Sequence, residues 1–166
     1  MSTGDSLKGK RVIIVDDEPD VLDTLEDMLE MCEVVRASSF EQAKELLEKE
    51  SFDLAILDIM GVNGYGLLRI ANEKKIPAVM LTAHALSPED IVKSYRQGAA
   101  SYVPKDQIAQ IPAFLLDILE AERLGKHFWW RWLERLGNAY WDKKFGSRWR
   151  EKEKDFWENF EVKTKK

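Results

Sequence analysis

The feature that most restricts the fold of this chain is a set of short apolar runs, each closed by a residue with chemistry of its own. Phe52-Asp53-Leu54-Ala55-Ile56-Leu57 leads to Asp58. Val12-Ile13-Ile14-Val15 leads to Asp16 and Asp17, Ala78-Val79-Met80-Leu81 leads to Thr82, and Ser101-Tyr102-Val103 is followed closely by Lys105. Runs this short and this β-prone read as buried strands rather than helices. Strands apolar on both faces belong to a parallel sheet covered by helices on each side. In such an open sheet ligands bind beyond the carboxyl ends of the strands. Three acids, a hydroxyl and a lysine therefore share one rim.

The segments between the runs carry helical spacing. Pro19 suits a first helical turn, and Val21, Leu22, Leu25, Met28 and Leu29 follow at intervals of three and four. Val34 to Ala37 is a second strand. Ser39 reads as an N-cap with Gln42 completing a capping box, ahead of Ala43, Leu46 and Leu47. Gly61 to Gly66 reads as a flexible loop before a third helix that runs to about Lys75. Ser87-Pro88-Glu89-Asp90 has a cap, a first-turn proline and first-turn acids, and Gly98 ends that fourth helix. A fifth helix starts near Pro112. Five strands alternating with five helices imply a doubly wound α/β fold, since parallel crossovers are right-handed.

Three carboxylates gathered on one rim repel one another unless a cation intervenes. Hard oxygen donors select Mg²⁺, which keeps several waters and bridges to phosphoryl oxygens. Asp17 and Asp58 are the expected direct ligands with the backbone carbonyl of Met60, and Asp16 acts through water. The same neutralisation makes Asp58 a workable nucleophile towards phosphorus. Lys105 and the Thr82 hydroxyl can each hold a phosphoryl oxygen. His84 reads as a pocket-rim residue and His127, among aromatics, as structural or exposed.

Val15-Asp16-Asp17-Glu18-Pro19, Leu57-Asp58-Ile59-Met60, Leu81-Thr82-Ala83 and Gly98-Ala99-Ala100-Ser101-Tyr102-Val103-Pro104-Lys105 together resemble the receiver domain of two-component response regulators, over residues 9–122. The resemblance implies a flavodoxin-like five-stranded parallel sheet of order 2-1-3-4-5. It also implies phosphoryl transfer to Asp58 from a sensor histidine kinase or a histidine phosphotransfer protein, with phosphorylation and dephosphorylation self-catalysed and no other enzymatic activity. Tyr102 is then an aromatic switch coupled to Thr82. Two positions depart from the family pattern: Val62 stands where many receivers have proline, and Asp106 rather than proline follows Lys105. A dehalogenase-type phosphatase also has an acidic pocket, but its two acids stand two apart on the first strand, which Asp16-Asp17-Glu18 does not match.

Beyond the fifth helix the chain changes character. The 166 residues carry a net charge of −5, yet from Arg123 onward 13 Lys+Arg face 7 Asp+Glu, a net of +6, which leaves −11 before it. All six tryptophans lie after residue 122. The division is therefore a flexible N-terminus over 1–8, a receiver over 9–122, and an aromatic, basic helical extension over 123–166, broken at Gly146-Ser147. A helix continuing from the fifth would project away from the receiver and leave an aromatic stripe to be covered by a second copy or a helical partner. A small nucleic-acid- or membrane-binding output is the alternative; interspersed acids such as Glu151, Glu153 and Asp155 argue against both. The single cysteine, Cys32, allows no intrachain disulfide. That fits a cytoplasmic protein, as does the lack of any apolar stretch near the ~20 residues that span a bilayer.

Overall fold

Five parallel strands, β1 (Arg11–Val15), β2 (Glu33–Ala37), β3 (Leu54–Asp58), β4 (Ala78–Thr82) and β5 (Ser101–Pro104), lie in the order β2-β1-β3-β4-β5. The structure is a computed structural model that describes residues 6–83, 87–151 and 153–164. The register aligns the carboxyl ends: Val15 lies opposite both Ala37 and Leu57, Asp58 opposite Leu81, and Thr82 opposite Pro104. The residues closing the apolar runs therefore reach one level rim. The strand order reverses at β1 and β3, and that reversal opens the crevice between them. β3 and β4 are buried along their whole length, as the apolar runs leading to Asp58 and Thr82 require.

Helices α1 (Pro19–Met28), α2 (Phe40–Lys49), α3 (Gly64–Glu73), α4 (Pro88–Arg96) and α5 (Ile111–Leu124) cover the sheet. The Ser39 side chain accepts the Gln42 N–H at 3.2 Å, while the Gln42 amide oxygen takes the N–H of Ser38 at 2.9 Å. The capping pair thus exists, with its return bond one residue earlier than the motif places it. In α4 the Ser87 N–H donates to Asp90 Oδ2 at 3.4 Å, behind Pro88 in the first turn. Of the N-terminus read as flexible over 1–8, residues 1–5 lie outside the described residues, while Leu7 is fully buried and its carbonyl accepts the N–H of Lys10.

The extension does not project away. α5 stops at Gly125, whose φ of +70° is the left-handed C-cap that glycine adopts without strain. The chain then returns along its own receiver as α6 (Trp132–Leu136), α7 (Asn138–Phe145), a short 3-10 turn (Trp149–Glu151) and α8 (Lys154–Thr164). It breaks at Gly137 as well as at Gly146. β5 is an edge strand, and an edge leaves backbone groups unpaired. Here the Trp132 indole N–H donates to the Tyr102 carbonyl at 2.8 Å, and the Trp129 indole to the Ala99 carbonyl at 2.7 Å. Trp129, Trp132, Trp141, Trp149 and Trp157 are all buried. The expected exposed aromatic stripe is therefore absent among the described residues. The physical reason is local: a left-handed turn reverses the chain, and two indoles find acceptors on an otherwise open sheet edge.

Candidate functional site

Each rim residue is held by the element that precedes it. Asp58 is the last residue of β3 and only 4 % exposed. Asp16 follows β1, is fully buried, and accepts the Glu18 N–H on Oδ1 at 2.9 Å, a bond that fixes the turn into α1. Thr82 ends β4 and is buried. Lys105 opens a 3-10 turn (Lys105–Gln110) directly after β5. Its ammonium lies 2.8 Å from Asp16 Oδ2, 2.9 Å from Glu18 Oε1 and 3.4 Å from Asp58 Oδ1. One lysine thus reaches three carboxylates from two strand ends.

Two glycines allow the close approach. A Cβ on Gly61 would stand 2.5 Å from Asp17 Oδ2, so the Asp17 carboxylate rests directly on the loop that follows Asp58. A Cβ on Gly64 would overlap the Asp58 carbonyl oxygen and lie 2.8 Å from Ile59 Cα, so the start of α3 sits against the end of β3. The loop between them is not loose. Val62 is buried, its N–H donates to the Met60 carbonyl at 2.8 Å, and the Gly64 N–H donates to the Ile59 carbonyl at 3.1 Å. α3 therefore begins inside the stretch read as flexible, with Asn63 in the left-handed region as its cap.

The electrostatics follow from burial and crowding. Burial, joined by the charges of Asp16 and Asp17, pushes the Asp58 carboxyl up to about 7 against the pull of Lys105. Burial also raises Asp16, which Lys105 and the Glu18 N–H hold down only in part. For Lys105 burial works the other way, but its bonds to Asp16 and Glu18 and the charge of Asp58 outweigh it and raise its pKa. The pocket holds more negative charge than one ammonium offsets.

These donors fit a divalent cation. Carboxylate oxygens of Asp16, Asp17 and Glu18 lie within 4.8 Å of one another, and all are hard ligands. Sequence reasoning assigned Glu18 no role; its place beside the acidic pair was the available signal. The Met60 carbonyl spends one of its lone pairs on Val62, and the Met60 side chain is exposed. Tyr102 lies beneath the extension with no exposure, and its hydroxyl has no protein hydrogen-bond partner. His84 lies outside the described residues. Of the two readings of His127, structural or exposed, the first holds: its Nδ1 accepts the Trp129 N–H at 3.1 Å and its ring stacks on Tyr95.

Comparison with known proteins decides the family. The family model of the response regulator receiver domain matches residues 12–114. This chain belongs to that family. It is 36% identical over 103 residues to the two-component response regulator ARR18 of Arabidopsis thaliana, a match covering 58% of this chain and 16% of that protein. It is 32% identical over 116 residues to the response regulator GtcR of Aneurinibacillus migulanus, covering 64% and 48%. Among solved structures, a CheY-like receiver domain protein from Methanospirillum hungatei JF-1 aligns with TM-score 0.58 and 30% identity, over 69% of this chain and all but 1% of that one. The chain thus spans less than half the length of these curated relatives. The receiver match ends within α5, so the extension lies beyond it. Asp16, Asp17, Asp58, Thr82 and Lys105 all fall inside the matched receiver, in the chain order and strand-end positions read from the sequence.

Proposed function

We propose that this receiver accepts a phosphoryl group on Asp58 from a sensor histidine kinase or a histidine phosphotransfer protein, and that phosphorylation changes its protein contacts. The observation that carries this reading is the buried Asp58 carboxylate at the end of β3, 3.4 Å from the Lys105 ammonium and beside an acid cluster. A carboxylate oxygen of Asp58 forms the new P–O bond as the P–N bond of the donor phosphohistidine breaks, and the donor nitrogen keeps the electron pair and takes up a proton. Lys105 holds one phosphoryl oxygen and the Thr82 hydroxyl another. Asp16, Asp17 and Glu18, with Asp58 and the Met60 carbonyl, are the candidates to hold Mg²⁺, which when bound offsets charge on the incoming group. The other side chains orient and neutralise, so the chain is a phosphoacceptor rather than an enzyme with a separate substrate.

Such exchange implies a cytoplasmic location; no described helix is long and apolar enough to cross a membrane. Homodimerisation through residues 123–166 has lost its chief support, because the aromatic surface that called for a partner is turned inward. The same burial removes the stacking surface that a nucleic-acid-binding output would use.

The test is modification by acetyl phosphate with and without Mg²⁺, followed by intact mass. The wild-type chain should gain one phosphoryl group only with the metal, and Asp58→Asn should gain none. Modification of Asp58→Asn, or full modification in chelator, would overturn the reading.

A further inference from the structure

The extension occupies one continuous face of the receiver, made by α4, β5 and α5. On α4, Tyr95 is stacked by His127 with centroids 5.3 Å apart and met edge-on by Trp129 and Phe156. On β5, Trp132 holds the Tyr102 carbonyl. On α5, Arg135 grips the buried Asp117 carboxylate at 2.5 and 2.8 Å. An outside partner for this face would have to displace the extension.

Two threads run from this contact to the phosphoacceptor pocket. The first is the pair of consecutive residues after β5. Lys105 points into the acid cluster, while Asp106 points into the extension and accepts the Tyr140 hydroxyl at 2.7 Å and the Lys144 ammonium at 2.9 Å. The second is Tyr102, which stands two residues before Pro104, the register partner of Thr82. Its ring is roofed by Trp141, with centroids 6.5 Å apart, and its carbonyl is bonded to Trp132. A shift of Asp106 or of Tyr102 acts directly on its contacts with the extension.

We propose that residues 126–164 are a built-in partner of the α4–β5–α5 face, released in part when Asp58 is phosphorylated, with Asp106 and Tyr102 as the links. The proposal rests on the acceptor reading above. Phosphorylation replaces the single charge of the Asp58 carboxylate with roughly two on the phosphoryl oxygens, which lie further out from the strand end. The Lys105 ammonium, now shared among Asp16, Glu18 and Asp58, is drawn towards the new charge. Asp106 sits on the same 3-10 turn, so the movement pulls its carboxylate from Tyr140 and Lys144. Those contacts are suited to release, because the Lys144–Asp106 pair is partly exposed and such pairs are weak and screened by salt. Reorientation of Tyr102 opposes the seat of Trp141 in the same sense. Linkage makes the effect mutual: a docked extension that favours the unphosphorylated pocket must oppose phosphorylation by an equal factor.

The chain carries its own reporter, since all six tryptophans lie in the extension and none in the rest of the receiver. The experiment uses the full chain with Mg²⁺ and the phosphoryl analogue beryllofluoride, reading tryptophan emission and acrylamide quenching, with acetyl phosphate and intact mass to establish that Asp58 reacts. Wild type should show a red shift and at least a twofold rise in quenching on modification, and Asp58→Asn should show neither. The double variant Tyr140→Phe, Lys144→Gln removes both Asp106 contacts without touching the acid cluster. It should be more quenchable from the start, respond less than half as much, and saturate at a beryllofluoride concentration at least twofold lower. Should that variant fail to fold, the wild-type comparison decides alone. Modification of Asp58 with unchanged emission and quenching would overturn the proposal and leave the acceptor reading intact. Absence of any modification at Asp58 would overturn both.

Discussion

Asp58 carries a conflict between stability and function that can be measured. Its carboxyl titrates near 7 in the folded chain, raised by burial and by the neighbouring acids, against an ordinary value near 4. A carboxyl raised on folding favours the protonated folded state. Its contribution to stability is therefore present below about pH 4 and lost as pH rises through about 7. Asparagine has the shape of the carboxyl without the charge, so Asp58→Asn escapes that loss. In chelator the variant should match wild type at pH 4 and exceed it by about 1–3 kcal/mol at pH 8, read from urea midpoints. Mg²⁺ should narrow the gap at pH 8 by stabilising wild type, since a ligand bound only by the folded state adds to its stability. An equal gap at both pH values would show that burial of charge at Asp58 is not the cause. The individual acids, Thr82 and Lys105 were legible in the sequence because each closes an apolar run, and a strand end fixes where its next side chain goes. Glu18 was harder to read. Its part comes from Lys105 reaching across the rim from the end of β5, a distance along the chain that no local pattern encodes.

At the scale of elements, strands and receiver helices were readable and the path of the extension was not. A two-sided apolar run admits one environment, a covered parallel sheet. A helix with aromatic spacing, by contrast, tells only that one face is buried, not what buries it. The deciding feature is Gly125, which ends α5 in a left-handed turn and sends the chain back; a glycine in a sequence marks a stop without giving the direction that follows. The loop after Asp58 shows the same limit in reverse. Its glycines suggested mobility, whereas Gly64 serves close packing of α3 on the end of β3. A side chain at Gly64 meets backbone that cannot yield, so Gly64→Ala should cost about 2–4 kcal/mol, in the range of overpacked and strained sites. Gly125→Ala meets nothing within 4 Å and suffers only the left-handed φ, a cost of about 1–2 kcal/mol. Thermal unfolding of the two variants should rank them in that order. A Gly64→Ala protein as stable as wild type would mean that α3 can slide on β3.

The molecule as a whole behaves as one cooperative body if the extension is integral to it. The buried aromatics of α6, α7 and α8 belong to the same contiguous core as the sheet. Trp132 joins the two parts most directly: its indole N–H is bonded to β5, and its ring stacks on Trp141 at 4.8 Å. Burial on this scale is favoured by roughly 25 cal/mol per Å² of apolar area, and a buried tryptophan cut to alanine costs about 3–5 kcal/mol. Partial release of the extension on phosphorylation is compatible with this, because it starts at the half-exposed Asp106 contacts and reaches the tryptophans through Tyr140, whose ring meets Trp141 edge-on with centroids 4.9 Å apart. Two probes divide the molecule cleanly. Tryptophan emission reports the extension alone, and far-UV circular dichroism is dominated by the helices of the whole chain. For the unmodified protein both should trace a single urea transition with one midpoint, as a two-state domain requires. Trp132→Ala should separate them, with the emission change moving to lower urea and the circular dichroism change following. An emission transition that precedes the other in wild type would mean that the extension is a separately folding unit resting on the receiver, not part of its core.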